Sequence, residues 1–302
     1  MAGGSRQMTS NLLRMMVEGL NKIIDKDGDH AYYGPFEKIF PKVTHDKIVY
    51  EMLKLAGLGV AGQKGEGDPI SNYDTLDQAW TYSPSIYTYE KSVRITLEAK
   101  HYNMYMNAVP KLAKELIKAH KTRKDIACAE VFNNAFSGTT YGDGVVLCSN
   151  SHPVQAGGNL DNLLTLDFDH DSFEQAEILI DAMVNDDGLI ADYMPKSILI
   201  PYQLKQEVDR VLKSQLRPGT ADNDINIHSG QVEKIVWKRL DDADAWFVLT
   251  NSDEGFCLAE TMPMKVKEFE EHFTWDDLIS SISMWAAIVK DGARAVVGSA
   301  GV

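Results

Sequence analysis

The stretch Asp143-Gly144-Val145-Val146-Leu147-Cys148-Ser149-Asn150-Ser151-His152-Pro153 closes a long amphipathic run, and that junction decides how the chain is read. Pro110 suits a first helical turn, where its missing N–H would be unpaired anyway. Val109, Leu112, Ala113, Leu116, Ile117, His120, Ala127, Val131, Phe132 and Ala135 recur at three- and four-residue spacing. Lys111, Lys114, Glu115, Lys118, Lys121 and Lys124 fall on the other side, giving one packed face and one wet face. Neither Gly nor Pro interrupts the run before Gly138, so the spacing predicts a rod of roughly 45 Å at about 1.5 Å per residue. A rod, a glycine turn and a polar strand closed by proline are construction parts rather than a reaction site.

The 302 residues are enough for one large domain or two smaller ones, and 44% apolar with 25% charged residues is the balance of an ordinary folded protein. The start, Met1-Ala2-Gly3-Gly4-Ser5-Arg6-Gln7, has no apolar segment of signal-peptide length. No stretch approaches the roughly 18 apolar residues that span a bilayer, so the expectation is a protein kept in a cytosol, without membrane contact. Cys128, Cys148 and Cys257 are odd in number and lack CxxC spacing, which reads as small buried hydrophobes rather than disulfides or a zinc site. A net charge of −14 opposes nonspecific binding to nucleic acid, which depends on cations neutralising phosphates.

Along the chain, residues 8–24 and about 46–56 read as short amphipathic helices. Gly57, Gly59, Gly62, Gly65 and Gly67 then follow in quick succession and are expected to act as a hinge. Leu76, Gln78, Trp80 and Tyr82 alternate with polar residues. After Ser83-Pro84-Ser85 the pattern resumes through Tyr87, Tyr89, Val93, Ile95 and Leu97, predicting a long two-stranded hairpin. Such a hairpin is marginal alone, so a neighbouring subunit is the expected support. Trp80, Tyr82, Tyr87, Tyr89 and Arg94 are the candidates for that intersubunit contact. Further on, the pattern predicts helices at about 171–184 and 202–216, strands at 197–200, 232–237, 246–249, 264–269 and 281–289, and a hairpin turn at Asp291-Gly292 leading into 294–297.

Several catalytic look-alikes fail on context. Gly57-Leu58-Gly59-Val60-Ala61-Gly62 matches GxGxxG but is preceded by the helix read at 46–56, and Asp68-Pro69 follows where a phosphate-binding helix should begin. Asp25-Lys26-Asp27-Gly28-Asp29 imitates a calcium loop, yet His30 and Phe36 occupy the positions that need Gly and Glu. Asp143, Ser149, Ser151 and His152 are triad residue types without a GxSxG elbow, and the alternative is that they fix a turn. Glu270, Glu271 and His272 could bind a metal only with ligands from elsewhere in the chain, and a solvated surface is the default reading. No catalytic, cofactor or metal role is assigned.

The order of parts resembles the major capsid proteins of tailed bacteriophages with the Hong Kong 97-type fold, most nearly the major head subunits of phage Mu-like viruses. The resemblance rests on Tyr89-Glu90-Lys91-Ser92-Val93-Arg94-Ile95, the rod, and the signature residues Asp143, Gly144, Ser149, Ser151, His152 and Pro153. It also rests on Ser197-Ile198-Leu199-Ile200-Pro201, Ala245-Trp246-Phe247 and Trp285-Ala286-Ala287-Ile288-Val289-Lys290-Asp291-Gly292. It implies an α+β fold with an N-terminal arm (1–56), an extended E-loop hairpin (57–100), a peripheral domain with a spine helix (101–153 and 263–302) and an axial domain (154–262). It implies no enzyme and no cofactor, but a subunit that self-assembles into hexamers and pentamers around double-stranded DNA without reading its sequence. The location implied is the virion capsid, assembled in the host bacterial cytoplasm. Portal and scaffold proteins are the implied partners, with a decoration protein as a further one. An encapsulin-like compartment shell is the alternative, and a cytosolic hydrolase using Ser149 or Ser151 with His152 is the remote one.

Overall fold

The structure, a computed structural model, describes residues 34–67, 69, 78–96, 98, 109–217, 225–270 and 277–301, together with Glu18 and Lys22. Its elements run α1 (Phe36–Ile39), β1 (Lys42–Thr44), β2 (Met52–Leu55), β3 (Gln78–Tyr82), β4 (Tyr87–Ile95), α2 (Val109–Asn133), β5 (His152–Pro153), β6 (Asn159–Leu160) and β7 (Leu163–Leu164). They continue with α3 (His170–Asp181), β8 (Pro195–Ile200), α4 (Lys205–Lys213), β9 (Glu233–Val236), β10 (Trp246–Thr250), β11 (Phe256–Glu270), β12 (Asp277–Val289), α5 (Gly292–Ala295) and β13 (Val296–Ser299). The chain forms two compact units, Met1–Tyr50 with Ser85–Ala127 and Leu258–Ala287, and Glu51–Pro84 with Cys128–Cys257 and Ile288–Val302.

The first unit is built on a four-stranded sheet in the order β1-β11-β12-β4. β4 runs antiparallel to β12 from Tyr87↔Trp285 to Ile95↔Asp277, and Tyr89 stacks on Trp285 at 4.2 Å. α2 supplies Leu116 and Ile117 to this unit, together with the buried polar residue His120. Ser281 Oγ donates to Lys91 O (2.7 Å), so it accepts from His120 Nε2 (2.9 Å), which leaves Nδ1 to accept from Ser283 Oγ (2.8 Å). The ring is neutral, since burial and Lys124 both hold its pKa below the ordinary value. Glu260 is buried between Lys124 (2.6 Å) and Lys42 (2.5 Å). Burial pushes its carboxyl pKa up, but the two ammonium groups outweigh that and hold it low.

In the second unit a five-stranded sheet runs β7-β13-β10-β8-β9. β10 is buried along its whole length, and the two-residue strand period decides what it meets on each face. Trp246 and Val248 join Ile198, Ile200 and Val297 in one core with Phe173, Ala176 and Ile180 of α3 and Val208, Val211 and Leu212 of α4. Phe247, pointing the other way, meets Phe132 at 5.2 Å and Phe136 at 5.5 Å. α3 starts where Asp169 accepts from Ser172 N (2.6 Å) and Ser172 Oγ accepts from Asp169 N (2.8 Å), a reciprocal cap. Gly298 lacks a side chain because a Cβ there would lie 2.6 Å from Cys148 Sγ. Fully buried Asn162 joins the segments: it accepts from Ser149 N (2.7 Å) and donates to Leu147 O (2.9 Å) and Val296 O (3.0 Å).

Several sequence expectations are corrected. Residues 52–55, read within a helix, form strand β2. β3 pairs with β2 and not with β4, so among the described residues the predicted hairpin of 75–82 with 87–97 is absent, and β4 finds its partner in β12. Asp291-Gly292 opens helix α5 instead of a hairpin turn, and the strand that follows pairs with β10. Of the sequence 145–153, only His152–Pro153 is strand. The helix read at 8–24 lies outside the described residues except at Glu18 and Lys22, which are helical. The calcium-like turn at 25–29 also lies outside, as do Glu271 and His272, whereas Glu270 is the last residue of β11. All three cysteines are buried, as read, and burial pushes the Cys148 thiol pKa up.

Asn162→Asp keeps the shape of the side chain but takes away both donated hydrogen bonds and buries a charge. Urea unfolding of the isolated subunit is expected to show a loss on the order of 3 kcal/mol. A loss within experimental error would show that the segment is held otherwise.

Candidate functional site at the root of the β2–β3 ribbon

β2 turns alternate residues to opposite sides. Met52 and Lys54 are half-buried, whereas Leu53 and Leu55 are 57% and 48% exposed. Lys54 pairs with Trp80 across the ribbon and lies 5.8 Å over its ring. Its Nζ reaches Asp291 Oδ2 at 2.5 Å and Asp186 Oδ2 at 2.9 Å. The same two carboxylates bind Arg294, with NH2 2.9 Å from Asp186 Oδ1 and NH1 3.1 Å from Asp291 Oδ2. Arg294 Nε donates to Val184 O (2.8 Å), and Thr250 Oγ1 donates to Arg294 O (2.7 Å). Burial pushes the guanidinium pKa down, but Asp291 and Asp186 outweigh it and raise the pKa above the usual arginine value. Two cations and two anions thus neutralise one another at the ribbon's root.

Each partner is delivered by local structure. Asp186 sits in a turn closed by Asn185 N–H to Leu189 O (2.8 Å) and Gly188 N–H to Asn185 O (3.0 Å), with Gly188 at φ +79°. Asp291 N–H donates to Glu254 O (2.9 Å). Gly292 leaves room for Leu147, since a Cβ there would lie 2.6 Å from Leu147 Cδ1.

Beside the network, the Trp80 ring lies against Gly142, where any side chain would collide, and Tyr82 meets Tyr141 edge-on at 6.5 Å. The Tyr141–Val145 turn places Gly144 at φ +81°, and Asp143 Oδ1 accepts from Val145 N (3.1 Å). Asp143 Oδ2 lies 2.5 Å from His152 Nδ1. Burial raises the Asp143 pKa, but the hydrogen bond and charge of His152 more than offset this and lower it. A small cavity lies among Trp80, Tyr141, Asp143, His152, Lys290 and Asp291, and His152 Nε2 is buried without a hydrogen-bond partner among the described residues.

Of the contact candidates, Trp80 and Tyr82 are used against their own chain and Tyr89 is stacked on Trp285. Arg94 is exposed, and Tyr87 is 61% exposed. Gly57, Gly59, Gly62, Gly65 and Gly67 lie in the connection between β2 and β3. The GxGxxG stretch follows strand β2 rather than the helix read there, and no helix follows it among the described residues. The hydroxyls of Ser149 and Ser151 face each other at 2.9 Å, and neither bonds the His152 ring, so no nucleophile–base pair forms. Sequence reasoning missed Lys54, Asp186, Asp291, Arg294 and Asn162. Charges this far apart carry no spacing signal.

Lys54→Met leaves two carboxylates facing one guanidinium, and about 2–3 kcal/mol is expected to be lost locally. Hydrogen exchange should quicken in β2 and β3 and stay slow in β8 and β10. Uniform exchange rates would remove the network from its anchoring role. Because the folded pKa of Asp143 is depressed, its contribution is present above the ordinary carboxyl pKa and is lost as pH falls through the lower, folded value. Asp143→Asn should therefore flatten the acid limb of the stability–pH curve below about pH 4.

Sequence comparison with curated proteins finds no match, but a family model described as phage capsid protein matches residues 81–297. Solved structures share the fold at low identity. The mature capsid of bacteriophage PhiM1 has a TM-score of 0.59 at 10% identity, covering 90% of this chain and 88% of that one. The head of Helicobacter pylori bacteriophage KHP40 gives 0.52 at 11% identity, covering 90% and 92%. The virus-like particle from Pyrococcus furiosus gives 0.51 at 10% identity, covering 93% and 98%. The α+β architecture is that of the Hong Kong 97-type capsid proteins, and with most of its length matched by the family model, the chain belongs to the phage capsid protein family.

Proposed function

We propose that this capsid protein is the major head subunit of a tailed bacteriophage, assembling into hexamers and pentamers that close an icosahedral shell around double-stranded DNA. The observation that carries this reading is the two-faced ribbon. Its inner row, Lys54 and Trp80, is fixed to its own chain, while Leu53 and Leu55 form an apolar outer row that the subunit leaves exposed. An isolated subunit gains nothing from that row, whereas a second copy covering it gains about 25 cal/mol per Å² of apolar surface. A patch that meets a different patch on the next copy closes into rings when the rotation permits.

In this reading the β2–β3 ribbon is the E-loop, the β1-β11-β12-β4 sheet with α2 is peripheral, and the five-stranded sheet with α3 and α4 is axial. Tyr87 and Arg94, both exposed, are separate intersubunit contacts, and the five glycines let the connection between β2 and β3 adapt to curvature. The role is structural, without catalysis. Portal, scaffold and decoration proteins are its partners, assembly takes place in the host bacterial cytoplasm, and the acidic charge keeps the lining from gripping the packed DNA. The fold shared with a virus-like particle keeps a compartment shell as the second reading. Adjacent portal and terminase genes separate the two.

Leu53→Asp combined with Leu55→Asp is expected to leave the subunit folded, with unchanged circular dichroism, and to abolish shells in negative-stain images of the expressed protein. Normal shells from this variant, or no shells from the parent with any scaffold, would sink the reading.

A further inference from the structure

His170, Glu174 and Glu177 fall at i, i+4 and i+7 on α3 and so share one face of the helix. Ligand atoms of His170, Asp171 and Glu174 lie within 4.8 Å of one another. His228 packs against this face from another segment, its ring centroid 4.4 Å from that of His170 and 5.0 Å from Phe173. It is 0% exposed, yet among the described residues neither of its ring nitrogens has a hydrogen-bond partner, and the same holds for both nitrogens of His170. Glu177 Oε2 is 3.3 Å from His228 Nδ1, but at an angle unsuited to a hydrogen bond. The nearby Gln231 amide donates instead to Ile227 O (2.9 Å).

Four unpartnered ring nitrogens beside three carboxylates make a poor structural arrangement, because a buried polar atom without a partner costs about 1–3 kcal/mol. The arrangement suits a cation that takes nitrogen and oxygen donors together. We propose that His170, His228 and Glu174, helped by Asp171 or Glu177, form a site for a borderline divalent transition metal of the zinc class. Imidazole nitrogen and carboxylate oxygen bind Zn²⁺ at about 2.0–2.2 Å, so the donors close in from their present spacing by rotation of the exposed Asp171 and Glu174 side chains. Arg217 NH2, 2.6 Å from Asp171 Oδ1, occupies one oxygen of that carboxylate and leaves the other open. A hard cation such as Mg²⁺ is disfavoured, since two imidazoles replace the oxygens it prefers.

The site lies within one subunit and is independent of assembly. Its test is calorimetric titration of the chelator-treated full chain with Zn²⁺, alongside Mg²⁺. The expected result is one tight Zn²⁺ per subunit, a raised Tm with Zn²⁺ only, and at least about 100-fold weaker binding in His228→Gln and in His170→Gln. Should His228→Gln misfold, His170→Gln and Glu174→Gln, on the outer edge of the site, carry the same comparison. Absence of Zn²⁺ binding by the parent, or undiminished binding by the variants, overturns the assignment, while shells that form normally without Zn²⁺ leave it standing.

Discussion

Four charges gathered out of water at the root of the β2–β3 ribbon are the constraint on which the outer face of the molecule depends. Each buried ion costs several kcal/mol in lost hydration, and mutual attraction offsets that only when every partner is in place. Lys54 therefore has to point inward, toward Asp186, Asp291 and Arg294. A strand has a side-chain period of two, so fixing Lys54 inward fixes Leu53 and Leu55 outward. A slip of one residue would bury two leucines against carboxylates and expose the lysine. The apolar outer row is thus a consequence of the ionic inner one.

The same pairing explains which parts of the fold were legible in the sequence. α2, α3, β8 and β10 were readable because burial on one or both faces leaves a periodic or continuous apolar pattern. β2 was not. With leucines on its open side and Met52 beside Lys54 on the other, Met52-Leu53-Lys54-Leu55 shows no clean alternation, and the surrounding residues fit helical spacing equally well. The partner of β4 was invisible for a different reason. Ser83-Pro84-Ser85 looks like a tight turn, yet the strand that completes the ladder is β12, far along the chain. Asp291-Gly292 looked like a hairpin because its residue types suit one. In fact the aspartate is committed to Lys54 and Arg294, and the glycine to clearance of Leu147.

The signature around Asp143 and His152 was legible as a turn but not as to what holds it. The Asp143 carboxylate and His152 ring brace the Gly144 turn from its two ends, which uses the acid and the base of the apparent triad and leaves the serines facing each other. Asn162 does comparable work for Leu147 and Ser149, yet an asparagine in a polar loop gives no hint that it is fully buried. Likeness to other phage capsid proteins is similarly a matter of architecture more than of residue identity, since neighbours with the same fold keep about a tenth of the sequence.

A ribbon with an ionic root and an apolar outer row separates the two kinds of force that a shell subunit needs. Interactions among buried charges are screened far less by salt than those at the surface, so the root holds its geometry across ionic conditions. In the proposed assembly, association through the leucine row would strengthen with excluded salts and osmolytes and weaken on cooling, unlike the ionic root. Because the strand is already paired and its register already fixed before a second copy arrives, little backbone order remains to be lost on contact, and more of the apolar burial is left to hold the copies together.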